Sequence, residues 1–188
     1  MSKKVLILKG SPRKNGNSSV LADQVALGAQ VLGAEVESFR VHEMNIQPCD
    51  ACDSCQETNG VCVIGDDMQM LYPKIQQADT LVLASPIYWF TFSAQLKLCI
   101  DRWYAFQPIR KEVWSGKNIG IVLTYGDSDS YESGAVNAIY TFQSMFRYLD
   151  IEIAGMVYGS ASEIGDVEKQ PELMQKAYQL GEKLATMG

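Results

Sequence analysis

The chain has 188 residues, of which 47% are hydrophobic and 20% are charged, and its formal net charge is −6. These values are typical of one globular domain with its own core, and the acidic balance argues against a general affinity for nucleic acid. The apolar runs are far shorter than the roughly 20 residues that cross a bilayer, so the sequence predicts no transmembrane helix. The N-terminal run VLIL (5–8) is too short for a signal peptide, and we expect a cytoplasmic protein.

Strand-like and helix-like segments alternate along the chain. The predicted strands are residues 4–10, 35–41, 79–85, 117–124 and 150–158. Apolar residues at helical spacing begin at Leu21, Met68, Ile139 and Leu173, and a further helix is predicted over 91–105. Because this alternation is typical of a parallel sheet with helices on both faces, we predict an α/β three-layer sandwich that forms a single domain over residues 1–188.

The composition of the strands predicts their order in the sheet. The runs VLIL (5–8), LVLA (81–84) and IGIVL (119–123) are continuously apolar, as expected of strands buried on both faces. The segments VESFRV (36–41) and DIEIAG (150–155) include charged residues, which suits the edges of a sheet. Together they predict a five-stranded parallel sheet with the order 2-1-3-4-5.

The stretch LILKGSPRKNGNSS (6–19) covers the end of the first strand, the loop after it and the start of the first helix. With this strand order, ligands bind beside the carboxyl end of strand one, where a helix N-terminus favours a phosphate. The side chains that add donors or charge are Ser11, Arg13, Asn17, Ser18 and Ser19. The loop has neither the Walker A pattern nor G-x-G-x-x-G. From the residues alone, an ordinary loop with Asn17 or Ser18 as the helix N-cap is an equal alternative.

The loop KGSPRKNGNSS (9–19) resembles the phosphate loop of the flavodoxin-like NAD(P)H-dependent FMN reductases. The resemblance continues in CVIGDDM (62–68), ADTLVLASPIYW (78–89) and SAQLKLCIDR (93–102). It implies a flavodoxin-like fold, non-covalently bound FMN with its phosphate at the loop side chains given above, and NAD(P)H as the electron donor. It also implies a small-molecule electron acceptor and a homodimer or higher homo-oligomer.

The same resemblance implies two more flavin loops, each at the carboxyl end of a predicted central strand. The second flavin loop comprises Ser85, Pro86, Ile87, Tyr88 and Trp89. The third flavin loop comprises Thr124, Tyr125, Gly126 and Asp127. Pro86 stiffens its loop, and Tyr88 and Trp89 offer flat apolar surface beside the flavin ring. Gly126 allows the backbone to approach the ring closely, although it also fits a plain turn.

Other aromatic residues are assigned to packing. For Phe90 and Phe92, the favoured interpretation is the core or a subunit interface. We expect the group Trp103, Tyr104 and Phe106 to supply apolar surface to that interface.

Four of the five cysteines fall within CDACDSCQETNGVC, an excursion at about 47–65 with the spacing C-x2-C-x2-C-x6-C. These are Cys49, Cys52, Cys55 and Cys62. Four thiolates this close can hold a [4Fe–4S] cluster, and the motif resembles that of the iron–sulfur flavoproteins, a branch of the same superfamily. Zinc, or thiols that hold no metal, are alternatives that the spacing leaves open. The fifth, Cys99, is predicted to be a buried, inert thiol.

No side chain is assigned as a general acid or base, since the reactive atom in a flavoenzyme is the flavin N5. The one histidine, His42, lies near the end of a predicted edge strand, and no G-x-S-x-G motif is present. Asp66 and Asp67 are predicted to serve as the N-cap and first-turn acids of the next helix. Asp101 and Arg102 are predicted to form an ion pair or an interface contact at a helix end.

With the resemblance, we therefore expect an FMN-dependent oxidoreductase that takes hydride from NAD(P)H and passes electrons to a quinone, a flavin or another small acceptor. One alternative is an iron–sulfur flavoprotein that carries electrons received from ferredoxin. The other is a binding module that has kept the fold and lost the cofactor.

Overall fold

The computed structural model describes residues 2–187 and shows strands and helices in alternation. The strands are β1 (Lys4–Lys9), β2 (Glu35–Arg40), β3 (Thr80–Tyr88), β4 (Thr91–Phe92), β5 (Asn118–Tyr125) and β6 (Ile153–Ser160). The helices are α1 (Asn17–Val31), α2 (Ser54–Glu57), α3 (Met68–Gln77), α4 (Ala94–Asp101), α5 (Arg110–Trp114), α6 (Ala135–Leu149) and α7 (Pro171–Thr186). Short 3-10 helices cover Val41–Glu43, Arg102–Ile109 and Val167–Lys169. Along the described residues, no helix is both long and apolar enough to cross a membrane.

The main sheet is parallel and has the order β2-β1-β3-β5-β6. Counted without β4, this is the predicted order 2-1-3-4-5, and the prediction of a parallel α/β sandwich is confirmed. The central strands β1, β3 and β5 are almost wholly buried, whereas the edge strand β2 is half-buried or exposed along its length. The distribution of charge along the strands therefore predicted the edges correctly.

Two apolar layers cover the faces of the sheet. On one face, Leu6, Leu8 and Leu83 pack with side chains of α3, α4 and α6. On the other face, Val5 and Ile7 pack with side chains of α1 and α7. Alternate residues of β1 thus serve opposite layers, as the period of two in a strand requires.

The strand β4 was not predicted, and the helix predicted over 91–105 begins later than expected. β4 forms a hairpin with the end of β3, pairing Ile87 with Phe92 and Tyr88 with Thr91. The turn places Trp89 and Phe90 at φ values of 49° and 68°, which bulky residues adopt only rarely. Because the turn lacks glycine and asparagine, the sequence gives no hairpin signal here.

The predicted helix also changes its character at its end. α4 starts at Ala94, with Ser93 as its N-cap, and after Asp101 the chain tightens into the 3-10 helix Arg102–Ile109. Since side chains three apart eclipse in a 3-10 helix, Trp103 and Phe106 both turn into the core. The prediction that they supply an interface is wrong, and only Tyr104 of that group is exposed.

The last predicted strand also begins later than expected, at Ile153 rather than at residue 150. Asp150 has a φ of 61° and ends α6 in the left-handed conformation. Its N–H bonds back to carbonyls of the last helical turn, so the residue belongs to the helix end and not to a strand.

Candidate functional site

The three predicted flavin loops meet at one cavity of about 180 Å³ at the carboxyl ends of the central strands. We name it the loop cavity, and its walls comprise Ser11, Arg13, Gly16, Asn17, Ser18, Pro86, Ile87, Tyr88, Thr124, Tyr125, Gly126, Ala161 and Ser162. Of the predicted cofactor residues, Ser19, Ser85, Trp89 and Asp127 do not line it. Residues 161–162 line it without having been predicted.

The loop between β1 and α1 is closed by its own hydrogen bonds. Ser11 Oγ accepts a hydrogen bond from Arg13 N at 3.2 Å and donates one to Arg13 O at 3.3 Å. Gly16 N donates to Arg13 O at 3.1 Å. A Cβ atom at position 16 would lie 2.3 Å from Ser11 Oγ, so this turn accepts only glycine without moving. The loop is thereby shaped before any ligand binds.

Helix α1 begins directly after this loop, and no side chain caps its N-terminus. Gly16 occupies the N-cap position, so the alternative with Asn17 or Ser18 as the cap is wrong. The hydroxyls of Ser18 and Ser19 are buried and have no hydrogen-bond partner among residues 2–187. Unpaired hydroxyls at the positive end of a 15-residue helix are donors for an anion, which fits the phosphate of FMN.

The side chains of Asn17 and Arg13 contact the segment that follows β6. Asn17 Nδ2 donates to Ala161 O at 3.2 Å and to Glu163 O at 2.8 Å. Arg13 Nη1 donates to Ser162 O at 3.4 Å. This segment was missed because it is far away in sequence. Its signal was a small polar run, GSAS (159–162), directly after the last strand and therefore at the same edge of the sheet.

Ser85 supports the second loop from beneath. Its side chain is fully buried, and its Oγ accepts from Ser93 N at 2.9 Å and donates to Pro86 O at 2.8 Å. Ser93 Oγ in turn donates to Gly10 O at 2.7 Å. These bonds join the second loop to the first.

The aromatic residues of the second loop separate into different environments. Tyr88 lines the loop cavity, whereas Trp89 stands beside it at the hairpin tip and is 92% exposed. Phe92 is buried and stacks on Phe142 with ring centroids 4.8 Å apart, so of the two predicted places, core or subunit interface, it lies in the core. Phe90 is exposed.

The third loop is held against the segment after β6. Tyr125 O accepts from Ala161 N at 2.6 Å, and Gly126 O accepts from Ser162 Oγ at 2.8 Å. Burial raises the pKa of Tyr125, and the nearby Tyr158 and Asp129 add to this, so its phenol is neutral near pH 7. The loop cavity therefore presents backbone amides, hydroxyls and a neutral phenol.

The four clustered cysteines line a second, smaller cavity of about 20 Å³, which we name the thiol cavity. Cys49 and Cys52 are exposed, Cys62 is half-buried and Cys55 is buried, and all are free thiols. Ala51 and Asp53 adopt positive φ values of 55° and 57° between them. Within residues 2–187, no three Cys, His, Asp or Glu side chains stand close enough to hold a metal ion as they are. The thiol cavity has the donor set for a thiolate-bound cluster without a finished coordination sphere.

The ion pair predicted between Asp101 and Arg102 is wrong. Asp101 pairs instead with Lys97 at 2.6 Å on the surface of α4. Arg102 pairs with Asp66 at 2.5 Å, and both side chains are only 1% exposed. A 3-10 turn separates the directions of neighbouring residues, so adjacent charges in the sequence face different environments.

Asp66 bonds to the start of α3 and also to the start of the cysteine-rich excursion. The N-cap of α3 is Asp67 and not Asp66 as predicted, but Asp66 accepts from Met68 N at 3.0 Å and also from Gln47 N at 2.8 Å. Burial opposes its ionisation, but the bonds from Arg102, Gln47 and Met68 outweigh burial and lower the pKa of Asp66. It is therefore a buried carboxylate that is fully paired.

Cys99 is fully buried, as predicted for an inert thiol. Burial raises its pKa to about 12, so the thiolate is not formed near neutral pH. Cys62 differs, because hydrogen bonds from Ile64, Tyr72 and Arg102 outweigh its burial and lower its pKa.

Comparisons with known proteins agree with this geometry. Residues 3–162 match the family model described as NADPH-dependent FMN reductase. An iron–sulfur flavoprotein of Archaeoglobus fulgidus is 32% identical over 97% of this chain and 79% of its own length. A putative NAD(P)H-dependent FMN-containing oxidoreductase of Bacillus subtilis is 28% identical over 94% of this chain and 96% of its own length.

Among solved structures, an NAD(P)H:quinone oxidoreductase from Methanothermobacter marburgensis matches with a TM-score of 0.74 at 17% identity. The match covers 98% of this chain and 96% of that one. At this level of identity the likeness concerns the fold, which is the flavodoxin-like sandwich that the sequence predicted.

Proposed function

The chain belongs to the NADPH-dependent FMN reductase family, and on that premise we propose that the loop cavity is its FMN site. The protein is an FMN-dependent oxidoreductase that uses NAD(P)H, and the family assignment favours this over a module without cofactor. One observation carries the location of the site. The uncapped N-terminus of α1 lies in a closed loop beside buried serine hydroxyls that have no partner in the chain described.

The residues of the loop cavity divide between the two ends of the cofactor. Ser11, Ser18 and the first backbone amides of α1 hold the phosphate, with Ser19 behind them in the same turn. Arg13 adds a positive charge at the rim. Asn17 positions this end by fixing the segment after β6 against α1.

Backbone groups of the second and third loops hold the flavin ring. They include the amides around Pro86–Tyr88 and Thr124–Gly126, with Ser85 bracing the second loop from below. FMN supplies the hydride and electron chemistry, and the chain orients it and stabilises negative charge on its ring. Tyr88 lies at the open side of the loop cavity, where a small acceptor such as a quinone or a flavin would stack. Trp89 at the hairpin tip and Asp127, the last residue of the third loop, lie outside the cavity wall next to Tyr88 and Gly126 in the chain.

A direct experiment tests this function. The purified protein is saturated with FMN, the flavin bound per chain is counted, and oxidation of NADH and NADPH is followed with and without a quinone. We expect about one flavin per chain and NAD(P)H oxidation that depends on it. If the protein binds no flavin, the proposed function is wrong.

A second function is favoured by the four thiols that share the thiol cavity. In this alternative the chain holds a [4Fe–4S] cluster at Cys49, Cys52, Cys55 and Cys62 and carries electrons from ferredoxin to FMN. Anaerobic reconstitution with ferrous iron and sulfide tests it. About four irons per chain would support the carrier, and iron-free protein with full flavin would leave the reductase alone. The cytoplasmic location and the homodimer stay predictions.

A further inference from the structure

Arg102 joins the two ends of the cysteine-rich excursion. Its Nη1 donates to Gln47 O at 2.9 Å and to Asp66 Oδ2 at 2.5 Å. Asp66 Oδ2 also accepts from Gln47 N, so the three residues form a closed set of bonds. Gln47 precedes Cys49 and Asp66 follows Cys62, so the clasp encloses all four thiols. One buried guanidinium therefore holds this loop closed against the core.

The same side chain reaches into the thiol cavity. Arg102 is one of the residues that line it, and its Nη2 lies 3.3 Å from Cys62 Sγ. Arg102 Nε is buried and has no partner among residues 2–187. The carboxylate of Asp66 occupies the edge of the guanidinium between Nη1 and Nη2. Because the five N–H groups lie in one rigid plane, the second Nη2 hydrogen and the Nε hydrogen share the other edge. On that edge, Nη2 already contacts Cys62 Sγ, and the Nε–H group has no acceptor among residues 2–187.

A second contact from the same 3-10 helix holds the middle of the excursion. Gln56 Nε2 lies 3.2 Å from both Tyr104 O and Cys55 Sγ. Gly60 packs so tightly there that a Cβ atom would lie 3.2 Å from Ala105 O. Residues 102–105 of the 3-10 helix therefore contact the cysteine-rich excursion both at its ends and at its middle.

We propose that Arg102 is the positioning residue of the thiol cavity, fixing Cys62 and donating from its Nη2–Nε edge to the sulfurs of a thiolate-bound iron–sulfur cluster. The inference rests on the cluster of the second proposed function and on residues of this chain alone. Asp66 already balances the charge of Arg102, so what Arg102 offers the sulfurs is the pair of N–H groups on the edge that Asp66 does not occupy. Hydrogen bonds to cluster sulfurs raise the reduction potential, because they stabilise the more negative reduced state.

The loop cavity is separated from this clasp by the length of α4. Its eight residues lie between Ser93, which braces the flavin loops, and Arg102. At 1.5 Å per residue they span roughly 12 Å. A change at Arg102 that acts on the thiols should therefore leave flavin binding intact.

The test uses the Arg102→Lys variant, which keeps the charge and loses the planar fork. An Asp66→Asn/Arg102→Gln double variant removes both buried charges together, so that neither is left alone. Asp101→Asn is the matched control, since it breaks only the exposed pair on the same helix. Each protein is reconstituted anaerobically with ferrous iron and sulfide. Iron, labile sulfide and FMN per chain are counted, and the midpoint potential of the cluster is measured.

We expect wild type and Asp101→Asn to hold the cluster. The two Arg102 variants should retain iron about 10–100-fold more weakly, with full FMN, and the potential of any cluster kept should be lower. Equal iron retention and potential in Arg102→Lys and wild type would overturn the inference. Loss of FMN together with iron would overturn it too, because the role would then be general folding. If wild type binds FMN but no iron, the inference about Arg102 is wrong and the reductase function stands. If wild type binds iron but no FMN, the reductase function is wrong and the inference about Arg102 stands.

Discussion

Ser93 Oγ donates a hydrogen bond to the carbonyl oxygen of Gly10 at 2.7 Å, across 83 positions of the chain. Ser93 also caps α4 through Leu96 N, and its own N–H donates to Ser85 Oγ. A Cβ atom at position 10 would lie 2.7 Å from the same Ser93 oxygen, so glycine there permits the contact. These bonds therefore join the loops after β1 and β3, which both line the loop cavity, into one hydrogen-bonded unit.

Replacing Ser93 by alanine should affect stability and flavin binding together. It leaves Gly10 O buried without its donor and removes the cap of α4, at a combined cost of about 2 kcal/mol. Denaturant unfolding and FMN titration would measure both effects. Ser144→Ala is the control, because that hydroxyl only accepts a bond from the exposed Arg147. An unchanged FMN affinity would show that the brace does not shape the cavity.

The Gly16→Ala variant should weaken FMN binding far more than it changes the fold. The added methyl group would lie 2.3 Å from Ser11 Oγ, so the loop must open to accommodate it. We expect at least a tenfold loss of FMN affinity, about 1.4 kcal/mol, by fluorescence titration. At Gly65 a Cβ atom meets nothing within 4 Å, so Gly65→Ala should leave the affinity alone. Equal effects of the two variants would contradict the closed-loop account.

Ser18→Ala should weaken FMN binding without lowering the stability of the flavin-free protein. Its buried hydroxyl has no partner in the described chain, so the flavin-free protein should be as stable as wild type or more so. FMN affinity should fall by about 1–2 kcal/mol, because a donor to the phosphate is lost. Thr80→Val removes another buried hydroxyl without a partner, but from the opposite end of β3. It should share the stability effect only, and an FMN effect as large as that of Ser18→Ala would count against the phosphate site.

Cys99 should make the protein less stable at alkaline pH. Burial raises its folded pKa to about 12, above the roughly 8.5 of an unfolded thiol. The stability that Cys99 gives the folded protein is fully present below about pH 8.5. It is lost progressively as the pH rises from there to about 12. The stability gap between wild type and Cys99→Ala should therefore narrow between pH 8 and about pH 10, measured by denaturant unfolding. A gap that stays constant would show that Cys99 ionises freely in the folded state.

The sequence predicted those parts of the molecule that depend on local pattern. Continuous apolar runs identified the central strands, and the glycines and serines of residues 10–19 identified the loop at the first helix. The parts that were missed depend on contacts between distant residues. Arg102 was matched to its neighbour Asp101, because nothing local shows that a 3-10 turn carries it to Asp66. The segment at Ser162 was missed for the same reason, since only the folded sheet brings it to Arg13.

The central claim is that the phosphate of FMN is held at the N-terminus of α1. The most direct measurement compares the dissociation constants of FMN and riboflavin under the same conditions, since the two differ only in that phosphate. We expect FMN to bind at about one per chain and roughly 100-fold more tightly, about 2.7 kcal/mol, with the difference shrinking as salt is added. Equal affinities for the two flavins would contradict the account.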